Sequence, residues 1–219
     1  MMRKEEINKE QYERILEAVR LAFIKNGVKA TTMDSIATSL QMSKRTLYEI
    51  FGSKEEMFYE AQRYFHKKIG DIMKNIFLTS DNVMEAIIKC FLYNRDLMSD
   101  VNVEFIKDMK EYTKHLDNLS EEKKRQHYHN LYDVLKRGVE EGYFRKDINL
   151  LIQCHMLTIQ MESLKSSEEL FPKGISLIEI FDSIILSFLR GISTPKGLEE
   201  LEQYTPYLTT ISNQSEYLQ

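Results

Sequence analysis

The chain has 219 residues, 42% hydrophobic and 29% charged, with only eight Gly and three Pro. That balance gives enough apolar material for a real core and, with plentiful Leu, Ile, Met, Glu and Lys, points to an all-α protein. The polar start Met-Met-Arg-Lys-Glu-Glu excludes a signal peptide, and no apolar run nears the roughly 18 residues of a membrane span, so a soluble cytoplasmic protein is expected. A formal net charge of −4 at first argues against nucleic-acid binding, but the charge is unevenly placed. Residues 1–69 carry 13 Lys+Arg against 10 Asp+Glu, hence +3, and the remainder carries −7. A basic head on an acidic body allows local phosphate binding while limiting non-specific adhesion.

Residues 8–26 form the first expected helix. Tyr12, Ile15, Leu16, Val19, Ala22 and Phe23 repeat at helical spacing, and Asn26-Gly27-Val28 ends it with a left-handed glycine and a valine folding back. Thr32 then caps a short helix, with Asp34 in its positive first turn and Met33, Ile36, Ala37 and Leu40 on one face. Gln41 and Met42 make a turn, and Ser43 caps another short helix whose inward residues are Leu47, Ile50 and Phe51. Gly52 breaks that helix, and Ser53-Lys54-Glu55-Glu56 is a capping box that opens the next. Three caps so close together predict short helices packed at steep angles, which is the helix-turn-helix pattern.

The second short helix exposes Lys44, Arg45 and Thr46 in its first turn and Tyr48 one turn on. The N-terminal end of a recognition helix enters the major groove first. There Arg45 can be bidentate to guanine O6 and N7, a contact worth about 1–3 kcal/mol of discrimination. Ser43, Tyr48 and Lys54 are placed to hold phosphates, helped by backbone N–H groups. Glu49 is acidic where the groove is crowded, and either accepts from a cytosine amine or pairs with a nearby Lys.

These residues carry a resemblance. Tyr12 to Ala61 resembles the DNA-binding domain of the TetR family of transcriptional regulators: Gly27 ends its first helix, Thr31-Thr32-Met33 opens the second, and Ile36-Ala37 lies inside it. Ser43, Thr46-Leu47-Tyr48, Phe51 and Ser53-Lys54-Glu55-Glu56 complete the match. The resemblance implies that Lys44, Arg45 and Thr46 read bases while Thr32, Ser43, Tyr48 and Lys54 hold the backbone. Many family members have His or Tyr before the recognition-helix Phe. Ile50 stands there, so that phosphate contact is expected to be missing.

A long helix is expected from Lys54 to Leu78, with Gly70 as a flex point. It would serve both the head and the body, and so act as a lever between them, as the resemblance also implies. Helices then follow at roughly 82–99, 102–116, 119–141, 147–166 and 175–194. Between the third and fourth, Gly142 ends a helix, Tyr143-Phe144 tucks into the core and Asp147 caps the next. The last two of these helices are apolar nearly all round, which requires cover on two sides. A homodimer through 147–166 and 175–194, built as a four-helix bundle, supplies it. Two heads would then read a near-palindromic operator. The tail after Pro195 reads as a loosely held extension. The resulting domains are 1–53 for the helix-turn-helix, 54–194 for a helical ligand-binding and dimerisation domain, and 195–219 for the extension.

The resemblance also implies a small-molecule effector. Phe91, Tyr93, Phe105, Met109, Tyr112, Tyr132, Met156 and Gln160 are the candidate lining, a Met and aromatic set suited to an apolar or amphipathic ligand; the same stripe also suits packed core. Catalysis finds no support. His127 and His129 are two apart and fall on different helical faces, so they make a poor metal pair. His66, His115 and His155 have no patterned partner, and no phosphate loop, nucleophile elbow or paired Cys motif is present. No cofactor or metal is expected. Cys90 and Cys154 read as buried free thiols, with a redox pair as the rarer alternative. The reading is a ligand-responsive dimeric DNA-binding regulator. A DNA-binding architectural or division-linked protein without an effector, or an enzyme or carrier with a vestigial head, are the alternatives.

Overall fold

The structure, a computed structural model, describes residues 7–113, 121–164 and 174–204. Within them lie ten helices: α1 Lys9–Asn26, α2 Met33–Ser39, α3 Lys44–Phe51, α4 Lys54–Thr79, α5 Val83–Ser99, α6 Val103–Thr113, α7 Glu121–Glu140, α8 Leu150–Ser163, α9 Leu177–Ile192 and α10 Pro195–Tyr204. The only extended pairing among the described residues is an isolated bridge between Phe144 and Ser193. The all-α expectation holds.

The chain divides into two compact units. The first takes residues 1–74 and 100–113, the second 75–99 and 114–219. The long helix α4 is therefore shared between them, and α6 belongs with the head although α5 before it does not.

In the first unit, Val19, Phe23, Ile36, Leu47, Met57 and Phe58 are almost wholly buried. Each such side chain is worth about 1.5–3 kcal/mol of burial. Phe23 and Phe58 meet edge to face with centroids 5.4 Å apart, a geometry aromatic quadrupoles favour. Asn8 caps α1, its side chain accepting from Gln11 N. At the other end Gly27 has φ 84° and ψ 158°. That is the extended mirror region rather than the left-handed helical one expected, and it is open essentially to glycine alone. Val28 folds back into the core as expected.

Helix α6 closes this unit. Asn102 N donates to Ile24 O and the Asn102 amide donates to Lys25 O, 3.1 and 2.9 Å. The buried Asp108 carboxylate accepts from Lys29 N at 2.7 Å. Tyr59 Oη donates to Tyr112 O, and Phe105, Met109 and Tyr112 pack on the head's core. α6 thus satisfies carbonyls that the end of α1 leaves open.

The second unit is centred on Val83, Met84, Ile88, Leu135, Phe144, Cys154 and Leu201. Gly142, at φ 80°, ends α7, and Tyr143 and Phe144 are buried behind it. Asp147 does not cap α8. It pairs with Arg145 through two hydrogen bonds, and Asn149 is the cap, accepting from Ile152 N. Ser176 and Glu179 form a capping box at the start of α9.

The stretch after Pro195 is a further departure from expectation. Residues 195–204 are helix, with Gly197 and Leu201 buried. Pro195 takes the first helical position, where no N–H is needed, and Thr194 Oγ1 accepts from Gly197 N. Residues 205–219 lie outside the described residues.

Candidate DNA-binding surface

Two consecutive caps build this surface. Thr32 Oγ1 accepts from Ser35 N and Ser35 Oγ in turn accepts from Thr32 N, both 3.1 Å. This closes a capping box whose second member, Ser35, sequence reasoning missed. Ser43 Oγ accepts from Thr46 N at 3.0 Å and lies 2.7 Å from Thr46 Oγ1. Such caps satisfy N–H groups that a helix start leaves without partners, about 1 kcal/mol each. Between the two helices Gln41 turns the chain at φ 54°, the one described non-glycine residue with positive φ. Ser53 Oγ accepts from Glu56 N and starts α4.

Burial then sorts α3 into two faces. Leu47, Ile50 and Phe51 are buried, as expected. Lys44, Arg45 and Tyr48 are exposed and Thr46 is half-buried. Tyr48 keeps 45% of its surface in water. Ile50 points into the core, so the position cannot serve the backbone of a nucleic acid.

The charges on this face are paired. Lys44 Nζ lies 2.8 Å from Asp34 Oδ2 on α2, and this hydrogen bond holds the Lys44 ammonium above its ordinary pKa. Arg45 Nε donates to Glu49 Oε1 at 2.9 Å, one helical turn along α3. Glu49 therefore pairs with Arg45 where a Lys was expected. Lys54 behaves differently again: its ammonium donates to Thr31 O at 2.8 Å and Lys29 O at 3.2 Å. Two of its three donors are spent fixing the turn ahead of α2. Beside these residues, a surface recess is lined by Ile50, Phe51, Gly52, Glu56, Tyr59, Glu60 and Arg63. Its two carboxylates make it a poor seat for phosphate.

The eight residues expected around an effector divide between the two units. Phe105, Met109 and Tyr112 belong to the first unit. Phe91 is core of the second unit, its ring stacked on Phe181 at 5.4 Å, while Tyr93 is half-buried there. Tyr132, Met156 and Gln160 are exposed. A feature sequence reasoning missed lies next to Phe181: Asp182 is 6% exposed and receives Arg95 Nε on both carboxylate oxygens, 2.9 and 3.1 Å. The only signal was an acidic residue interrupting an apolar run.

On α8, Leu151, Ile152, Met156 and Ile159 are about half exposed or more, Ile159 reaching 65%. The outer face of α9 carries Ser183, Ser187 and Gly191 at four-residue spacing. So α8 carries the broad uncovered apolar stripe, whereas α9 presents a narrow row of small residues. No described helix is long and apolar enough to cross a membrane.

Two short capped helices, the second with a buried apolar face and an exposed polar first turn, define a helix-turn-helix DNA-binding regulator. The comparisons with known proteins agree. Residues 15–61 match the family model of bacterial regulatory proteins, tetR family, which supports a TetR-family transcriptional regulator. It is 28% identical over 140 residues to the HTH-type transcriptional repressor KstR2 of Mycobacterium tuberculosis (strain CDC 1551 / Oshkosh), spanning 62% of this chain and 70% of that one. Over 46 residues it is 48% identical to the uncharacterized HTH-type transcriptional regulator YhgD of Bacillus subtilis (strain 168), covering 21% of this chain and 24% of the relative. The solved structure of the ketosteroid transcriptional regulator KstR2 of Mycobacterium tuberculosis overlays with a TM-score of 0.58 at 21% identity, covering 89% of this chain and all of that one. These relatives are regulators, not enzymes.

Proposed function

We propose that this regulator is a dimeric repressor that binds a near-palindromic operator and is released by a small apolar or amphipathic effector. The observation that carries the DNA reading is the two-faced α3, whose buried Leu47, Ile50 and Phe51 fix a helix that keeps Lys44, Arg45 and Tyr48 in water. In this reading Lys44, Arg45 and Thr46 meet base edges in the major groove. Thr32, Ser43 and Tyr48 hold phosphates, and Lys54 adds its remaining N–H while positioning the start of α2. The dimer reading rests on the α8 stripe of Leu151, Ile152, Met156 and Ile159. The small row on α9 would let a second copy approach closely, completing a four-helix bundle. The heads and the remaining helices act as separate functional domains, with α4 as the element through which an effector held by the body shifts the heads. Repression is favoured by the KstR2 relatives, which are described as repressors.

The test is fluorescence anisotropy of the purified protein on the duplex immediately upstream of its own gene, against a scrambled duplex, across a salt series. The expected result is tighter binding to the upstream duplex that survives salt better, since base contacts do not release counterions. Equal, salt-steep binding to both duplexes would overturn the reading of a specific operator.

A further inference from the structure

The two cations at the tip of the recognition helix do not stand in water as bare charges. Lys44 is matched by Asp34 at 2.8 Å and Arg45 by Glu49 at 2.9 Å. The carboxylates come from different helices, and both lie on the face that would meet DNA. Asp34 is two-thirds exposed, whereas Glu49 keeps only 22% of its side chain in water. Glu49 is thus the more enclosed of the two carboxylates, and the Arg45 side chain paired with it is 74% exposed. The local sum over these four side chains is zero, although the head as a whole is basic.

We infer that Asp34 and Glu49 are specificity-determining residues, which hold Lys44 and Arg45 in internal ion pairs that only correctly placed base edges displace. This rests on the DNA reading above. A phosphate met at random offers a single charge, and the paired carboxylate already supplies an equivalent one. Non-specific attraction through counterion release is therefore reduced for each cation that is matched. Guanine offers something a carboxylate one turn away on the same helix does not: a rigid O6/N7 acceptor pair inside the groove. Exchange onto it is favourable there and unrewarded elsewhere. Once released, Glu49 is an acceptor in the groove: it suits a cytosine or adenine amine beside that guanine and repels a second guanine edge, which presents only acceptors. The two carboxylates thus lower affinity for arbitrary sequence more than for the operator.

The experiment uses the full chain and two 30-bp duplexes: one of arbitrary sequence, one selected by the protein itself from a randomised pool. Glu49→Gln and Asp34→Asn are compared with Glu10→Gln, which makes the same charge change on α1 and whose partner is Arg14. Expected is about three- to tenfold tighter binding of the first two variants to the arbitrary duplex. The slope of log K against log salt should steepen by roughly 0.9 per head, and the gain on the selected duplex should be smaller, so that the ratio narrows. Should Glu49→Gln and Asp34→Asn match Glu10→Gln on both duplexes, the inference is overturned. The double variant Lys44→Ala/Arg45→Ala separates the two levels. If it binds both duplexes as the parent does, the DNA reading itself fails; if it binds weakly while the carboxylate variants stay silent, only the selectivity role fails.

Discussion

In the head, the polar side chains that cap the helices reach water: Thr32, Ser35, Ser43 and Ser53 all bond backbone N–H groups of their own first turn. In the second unit the consequential polar groups are inside. Asp182 and Arg95 pair across α5 and α9, and Cys154 is buried, while Cys90, expected to be buried as well, is half-buried. Local caps are cheap, additive and tied to sequence spacing. Buried pairs depend on residues 87 positions apart and become costly only when one partner goes. A lost cap therefore costs about 1 kcal/mol, whereas losing one partner of the buried pair strands a charge and costs about 3 kcal/mol.

The largest expected contrast is chemical. Burial pushes the Cys90 thiol from 9.0 up to about 11. At pH 8 its thiolate fraction should be on the order of a hundredfold below that of an ordinary cysteine, and iodoacetamide should label it that much more slowly than a free thiol. Labelling at the ordinary rate would show that the α5 packing opens readily. Next comes Arg95→Ala, which strands the buried Asp182 carboxylate and should cost about 3 kcal/mol, read as a shift of the urea midpoint. The same carboxyl is raised above its ordinary 3.8, by burial first, against the opposing hydrogen bond and charge of Arg95. A raised folded pKa means the folded chain holds this proton more tightly. Its contribution is therefore fully present below about pH 3.8 and is lost as pH rises through the folded value. Thermal midpoints taken from pH 3.5 to 6 should fall less in Asp182→Asn than in the parent.

Effects in the head should be smaller and separable. Thr32→Ala and Ser43→Ala should each cost about 1 kcal/mol and, being on distinct helices, should nearly add in the double variant. A clearly larger joint loss would show the two short helices to be one cooperative element. Smallest of all is Gln41→Gly, which relieves a left-handed residue and should raise stability by about 0.5–1 kcal/mol, measured by the same denaturant midpoint.

Legibility in the sequence followed the same division. Caps, the buried face of α3 and the glycine stops at 27 and 52 were readable because each is encoded within one or two turns. The Lys44–Asp34 pair and the two carbonyls bound by Lys54 were not, since they depend on how α2 meets its neighbours in space. The effector lining was not legible either, because Met and aromatic residues at helical spacing look alike whether they face a cavity, a core or solvent. α10 was overlooked because the stretch after Pro195 was read as a loosely held extension, when a proline at a first helical position is a start.

The closure of the head by α6 bears on how such a regulator can be taken apart. The polypeptide leaves the head after residue 74 and comes back at 100 to finish it. A reading head excised as one contiguous N-terminal piece would lack Asn102, Phe105 and Asp108, and with them the cover over the end of α1. Chimeras that graft this head onto another sensor must therefore carry α6 along, or supply its equivalent. The head is separable from the rest of this chain only through two cuts, not one.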